Sequence, residues 1–100
     1  MNIKFKVWWK PQIPMKAFKT EVTSREEGLK LCNILADYDI FQFENNIKPD
    51  YCNTGGVIAW ALPISQNEDD WFDVPEDDDE WNNYYLDEIK EYESTKNAEM

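Results

Sequence analysis

The chain of 100 residues contains no histidine and only two cysteines, Cys32 and Cys52, twenty positions apart. Without histidine there is no Ser-His-Asp or Cys-His pair, so Ser24, Ser65 and Ser94 have no evident activating base. The cysteines form no C-x-x-C pair, which points away from a zinc site or a redox motif and toward two reduced thiols. Glycine is equally scarce, at three residues, and Gly55-Gly56 alone falls far short of the Rossmann or P-loop spacing. No apolar run approaches the roughly 18 residues of a membrane span. Met1 leads into Asn2-Ile3-Lys4-Phe5-Lys6, which lacks the continuous apolar stretch of a signal peptide. The expectation from these absences is a cytosolic chain with no catalytic residues, no metal and no cofactor.

Basic residues are also few. Ten Lys and Arg stand against 21 Asp and Glu, a net charge of −11, and the imbalance is local: residues 1–50 sum to +1 and residues 51–100 to −12. Nine of the thirteen residues from Glu68 to Glu80 are acidic and none is basic. A charge of this size and sign repels nucleic acid and anionic membrane surfaces, so direct binding to either is not expected. It attracts basic surfaces, over a Debye length of about 8 Å at physiological salt. The aspartates Asp69, Asp70, Asp73 and Asp77 to Asp79 lack the glycine and closing glutamate of a calcium loop, so nothing in the spacing fixes a metal geometry.

Fifteen aromatic residues in a hundred supply the area for a real core and argue against wholesale disorder. Ile3, Phe5, Val7 and Trp9 alternate with Lys4, Lys6, Trp8 and Lys10, the period of a strand with one buried and one lysine-rich face. Pro11 and Pro14 interrupt it, and Phe18, Thr20 and Val22 resume as a second strand. Thr23 and Ser24 stand three residues before Glu26 and Glu27, a capping box for a helix. Its stripe reads Leu31, Leu35 and Tyr38, with Arg25, Lys30 and Asn33 toward solvent. Ile40 to Glu44 reads as a short strand, Asn53-Thr54-Gly55-Gly56 as a turn, and Val57 to Leu62 as a central strand. After the acidic run, Trp81, Tyr85, Ile89 and Tyr92 recur at helical spacing.

The predicted architecture is therefore α+β: a small antiparallel sheet, β-β-α-β-β, with one helix packed on it, an acidic segment and a C-terminal amphipathic helix. Its divisions are a domain over 1–63, the acidic segment over 64–80, a packed helix over 81–93 and a frayed end over 94–100.

Two surfaces are candidates for binding. The first is the acidic run, Glu68, Asp69, Asp70, Asp73, Glu76, Asp77, Asp78, Asp79 and Glu80, with Trp71, Phe72 and Trp81 as aromatic anchors. It offers carboxylates where a basic groove expects phosphates. The second is the connection around Pro11 to Pro14 together with Asp37 to Asn53, where Gln12, Asp37, Tyr38, Asp39, Glu44, Asn45, Lys48, Asp50, Tyr51 and Asn53 gather polar and aromatic groups beyond the helix. On that alternative the acidic run only keeps the chain soluble. A further alternative is a small-molecule pocket around Trp8, Trp60 and Tyr38, or a bound divalent ion. Trp8, on the lysine-rich face, either packs under the terminal helix or belongs to an interface, so a symmetric dimer through that sheet is a candidate assembly.

Trp9-Lys10-Pro11-Gln12-Ile13-Pro14, then Ala36-Asp37-Tyr38-Asp39 with Phe41 and Glu44-Asn45, then Ile47-Lys48-Pro49-Asp50-Tyr51 and Asn53 with Gly55-Gly56, resemble a family of small phage and prophage proteins labelled superinfection exclusion proteins. The resemblance covers roughly residues 3–60. It implies a phage or prophage origin, expression in the bacterial host cytosol and a role in contests between phage and host or between phages; it supplies no catalytic residues. Joined to the charge, it suggests a non-enzymatic inhibitor that binds and blocks a bacterial protein with a basic surface. A nucleic-acid-binding defence protein, such as a CRISPR effector or a restriction enzyme, fits that description.

Overall fold

The period-2 pattern at the start of the chain forms β1 (Lys4–Lys10), in which Phe5, Val7 and Trp9 turn inward and Lys4, Lys6, Trp8 and Lys10 turn to the opposite face. The structure, a computed structural model, describes residues 2–10, 16–45 and 54–98. β2 (Phe18–Val22) pairs antiparallel with β1, Phe5 opposite Val22 and Trp9 opposite Phe18. A helix follows, α1 (Arg25–Glu44), and then β3 (Thr54–Trp60), antiparallel along the other edge of β1. β4 (Phe72–Asp73) pairs with β3 through Ile58 and Ala59, completing a sheet ordered β2-β1-β3-β4. The chain ends in a continuous helical stretch: α2 (Asp78–Trp81), a π-helical turn (Asn82–Leu86) and α3 (Asp87–Ala98).

The α+β sheet-and-helix architecture is thus the expected one, but two of its segments are exchanged. Ile40 to Glu44 is not a strand; it is the last turn of α1, closed by Asn45, whose backbone N–H bonds back to Phe41 O and Phe43 O. Neither Asp37 nor Asp39 ends the helix. Asp39 stays helical because its carboxylate meets a tertiary partner, Trp9 Nε1 at 3.1 Å, and so does not compete for the helix's own amides. Thr54 to Gly56 is not a turn but the start of β3, opposite Lys10, Trp9 and Trp8. Glycine is needed there for space: a Cβ on Gly55 would sit 2.1 Å from a ring carbon of Trp9. The fourth strand is drawn instead from within the acidic run. The Pro11–Pro14 connection and the Asn46–Asn53 stretch lie outside the described residues.

The helix N-terminus follows the capping signal. Ser24 is the N-cap and its Oγ accepts from Glu27 N at 3.1 Å, while the Glu27 carboxylate reaches back one residue further than a capping box requires, to Thr23 N and Thr23 Oγ1. Those two bonds hold the Glu27 carboxyl below its ordinary value of 4.5.

Both helical layers lie on the inward face of the sheet. Val7, Val57, Ala59, Val74 and Trp81 form the buried cluster, with Phe5, Val22, Leu29, Leu35, Phe72, Tyr85 and Leu86 packed against it. Rings tie the layers together: Phe5 lies 6.0 Å from Trp81, Trp81 5.9 Å from Tyr85, and Tyr85 5.4 Å from Phe72. Helical backbone continues to Ala98, past the expected end at 93, and Glu93 Oε1 accepts from Asn2 N at 2.8 Å.

Candidate functional site

The acidic run is shaped by short-range hydrogen bonds and then anchored by one arginine. Ser65 is buried in the turn after β3, where its Oγ accepts from Ala61 N and its own N–H donates to Ala61 O. Trp60 Nε1 donates to Asn67 O at 2.7 Å, Asp69 N to Asn67 Oδ1 and Gln66 N to Asp70 Oδ2. These bonds fold residues 61–71 over the lysine-bearing face, and Lys6 Nζ comes to rest 4.4 Å from the Trp71 ring. Downstream, Asp77 is the N-cap of α2 and its Oδ1 accepts from Glu80 N at 2.9 Å. Asp78, Asp79 and Glu80 fill the first helical turn, where the helix dipole favours negative charge.

Arg25 connects this segment to α1. Expected in solvent, it is instead 5% exposed: Nη2 donates to Pro75 O and Glu76 O at 3.0 and 2.7 Å, Nε donates to Pro75 O, and Nη1 pairs with Asp78 at 2.8 Å. Its guanidinium also lies 5.8 Å from the Trp81 ring. The planar fork explains the choice of arginine, because five donors in one plane can serve two carbonyls and a carboxylate together.

Glu68, Asp69, Asp73, Glu76, Asp77, Asp78, Asp79 and Glu80 are all exposed, and Asp70 is half-buried. The aromatic residues behave differently from expectation. Trp71 and Phe72 are half-buried against Lys6 and Tyr85, and Trp81, 5% exposed, is a core residue. Trp81 is therefore not available as an anchor, for Phe5, Tyr85 and Arg25 converge on its ring.

The second candidate surface is helical where a loop was expected. Asp37, Tyr38, Glu44 and Asn45 are exposed along the second half of α1, Asp39 is buried beneath Trp9, and Gln12, Lys48, Asp50, Tyr51 and Asn53 lie outside the described residues. Tyr38, expected in the apolar stripe of the helix, is instead 55% exposed and stacks on Phe41 at 6.5 Å. The reading of polar clusters missed the larger feature here. Ile34, Ile40, Phe41 and Phe43 are exposed as well, because the inward stripe of this half runs through Leu35, Asp39 and Gln42. Its signal was present in the sequence: residues 34–43 carry apolar side chains on every side of the helix, a pattern that solvent alone does not accommodate.

Trp8, Trp60 and Tyr38 do not share a pocket. Trp8 instead helps to line a cleft of about 370 Å³ with Leu29, Cys32, Asn33, Gly55, Gly56, Val57, Asp73, Val74 and Glu76. Burial pushes the Cys32 thiol above its ordinary pKa, and the Glu76 carboxylate adds to the effect. Among the described residues no group of three or more acidic or cysteine side chains converges as a metal site, and no helix is long and apolar enough to cross a membrane.

A profile of the family described as superinfection exclusion gene product 17 matches residues 4–98. The chain belongs to that family. It is 46% identical over 83 residues to the superinfection exclusion protein of Salmonella phage P22, an alignment covering 83% of this chain and 78% of that protein. No solved structure matches. The family match spans both halves, where the resemblance drawn from residues 3–60 stopped short of the acidic run and the terminal helix. The matched residues therefore include Arg25, β4 and the C-terminal helix of this chain.

Proposed function

We propose that this phage-encoded superinfection exclusion protein acts without catalysis, by binding a bacterial protein through the carboxylates of residues 68–80 and blocking it. The supporting observation is the way those carboxylates are presented: exposed, on backbone held by Arg25 and by the turn at Asn67, with Asp78 ion-paired to Arg25. A rigid row of acids loses less conformational entropy on binding a basic groove than a floppy one, and it steers encounter at long range. A nucleic-acid-handling defence protein in the host cytosol has such a groove. The test is a pull-down from bacterial lysate with the wild-type chain and with one whose acids from Glu68 to Glu80 are changed to Asn or Gln. The reading expects a nucleic-acid-handling protein with the wild type alone, released by added DNA and by rising salt. Recovery indifferent to salt and to DNA sinks the mimicry.

A second reading is favoured by the bare half of α1. Ile34, Tyr38 and Phe41 are exposed at i, i+4 and i+7 along one face of the helix, and grouped apolar side chains of this kind mark protein contacts. On that reading the acid-neutralised chain still recovers its partner, whereas Tyr38→Gln with Phe41→Gln does not. A homodimer through this surface is distinguished by sedimentation of the purified chain.

A further inference from the structure

β3 and β4 part company early. Continuing the register of Ile58 with Asp73, Glu76 would stand opposite Gly55, but the pairing stops once Val74 N has bonded to Val57 O at 2.9 Å. The chain turns away there because Arg25 takes the carbonyls of Pro75 and Glu76. The Val57 carbonyl points away from β1, and backbone groups two residues apart along a strand point the same way, so the amide and carbonyl of Gly55 also face this side. Among the described residues β4 offers them no partner. Alongside lies the cleft of about 370 Å³, floored by Gly55, Gly56 and Val57 and walled by Leu29, Cys32 and Asn33 of α1 and by Asp73, Val74 and Glu76. This volume falls in the range of about 300 to 1,000 Å³ typical of binding pockets.

We propose that this cleft receives an extended, positively charged peptide segment of the partner protein, which adds to the sheet as a strand paired with Gly55 along the open edge of β3. Strand addition uses main-chain hydrogen bonds for affinity and side-chain pockets for selection. Here Leu29, Val57 and Val74 supply apolar lining for the strand. The exposed carboxylates of Asp73 and Glu76 line the same cleft, and among the cleft-lining residues they are the only charged ones, so the complement is lysine or arginine. The inference rests on the reading of the chain as a protein binder; it draws on two carboxylates of the 68–80 run, Asp73 and Glu76, and not on Asp77 to Glu80.

The full chain carrying Cys52→Ser leaves Cys32 as the sole thiol and a reporter inside the cleft. The probe is a capped heptapeptide alternating lysine and valine, with a glutamate and valine counterpart. The lysine peptide should slow modification of Cys32 by a small aromatic disulfide at least tenfold at saturation and shift and protect the Gly55 amide. Asp73→Asn with Glu76→Gln should weaken that binding about tenfold, whereas Asp77→Asn with Asp79→Asn and Glu80→Gln should leave it unchanged. Equal effects of both peptides, no protection of Cys32 and Gly55, or loss of binding only in the second variant would overturn the cleft; the last result would do so while leaving the acidic surface standing.

Discussion

Arg25 shows how much one side chain decides in a small domain. It is 5% exposed while its carboxylate partner Asp78 is 81% exposed, so the two ends of this ion pair contribute very unequally. Arg25→Ala removes charge-assisted bonds to two carbonyls and should cost about 1.5 to 3 kcal/mol. Asp78→Asn, losing a solvent-screened pair, should cost less than about 1 kcal/mol. Urea denaturation of both variants tests the contrast, and equal losses would contradict it. Gly28 makes the same point through space. A Cβ there would stand 2.9 and 3.1 Å from the two methyl carbons of Val57, so Gly28→Ala should destabilise by up to about 2 kcal/mol through overpacking. That outcome opposes the gain of about 1 kcal/mol which helix propensity alone predicts, and the sign of the measured change decides between them.

At the scale of the element, α1 joins a well-capped start to an uncovered end. Glu27 titrates below its ordinary value because Thr23 bonds to its ionised form, so its contribution is present above the unfolded value near 4.5 and is lost as pH falls through the lowered folded value. The stability difference between wild type and Glu27→Gln should therefore be constant above about pH 5 and shrink in more acid solution. A difference that grows on acidification would refute the cap's role. The far end of α1 carries the opposite expectation. Tyr38 and Phe41 are each 55% exposed, so changing both to Gln should alter stability by no more than about 1 kcal/mol, as surface substitutions do. A larger loss, read from the thermal midpoint, would mean that these rings serve the fold and not an interface.

Taken whole, the molecule has its C-terminal third built into its core. Val74 and Trp81 share the buried cluster with Val7, Val57 and Ala59, Ile89 is buried as well, and Phe72 and Tyr85 complete the chain of rings from Phe5. A chain ending at residue 63 loses that layer, and it should show no cooperative thermal transition and weak dispersion of its amide signals. A folded 1–63 fragment would disprove the dependence. The radius of gyration, 16.4 Å, exceeds the roughly 13 Å of an average 100-residue domain, in keeping with an elongated molecule of 59 × 25 × 18 Å.

The sequence by itself determined what depends on local spacing and on composition. The alternation in Phe5, Val7 and Trp9, the cap at Ser24 with Glu27, the helical recurrence of Trp81, Tyr85 and Ile89, and the acidic run are properties of neighbours along the chain, and each reappears in the structure. Only the tertiary structure decided which face of α1 turns inward, because the face is set by Asp39 meeting Trp9 and Gly28 meeting Val57, contacts across 30 residues and about as many again. It likewise decided that Gly55 and Gly56 belong to a strand, that Arg25 is buried and that Trp81 is core. Each depends on a partner far away in sequence whose shape or polarity overrides local preference. The early end of the β3–β4 pairing has the same origin: Arg25 holds the carbonyls of Pro75 and Glu76 away from β3.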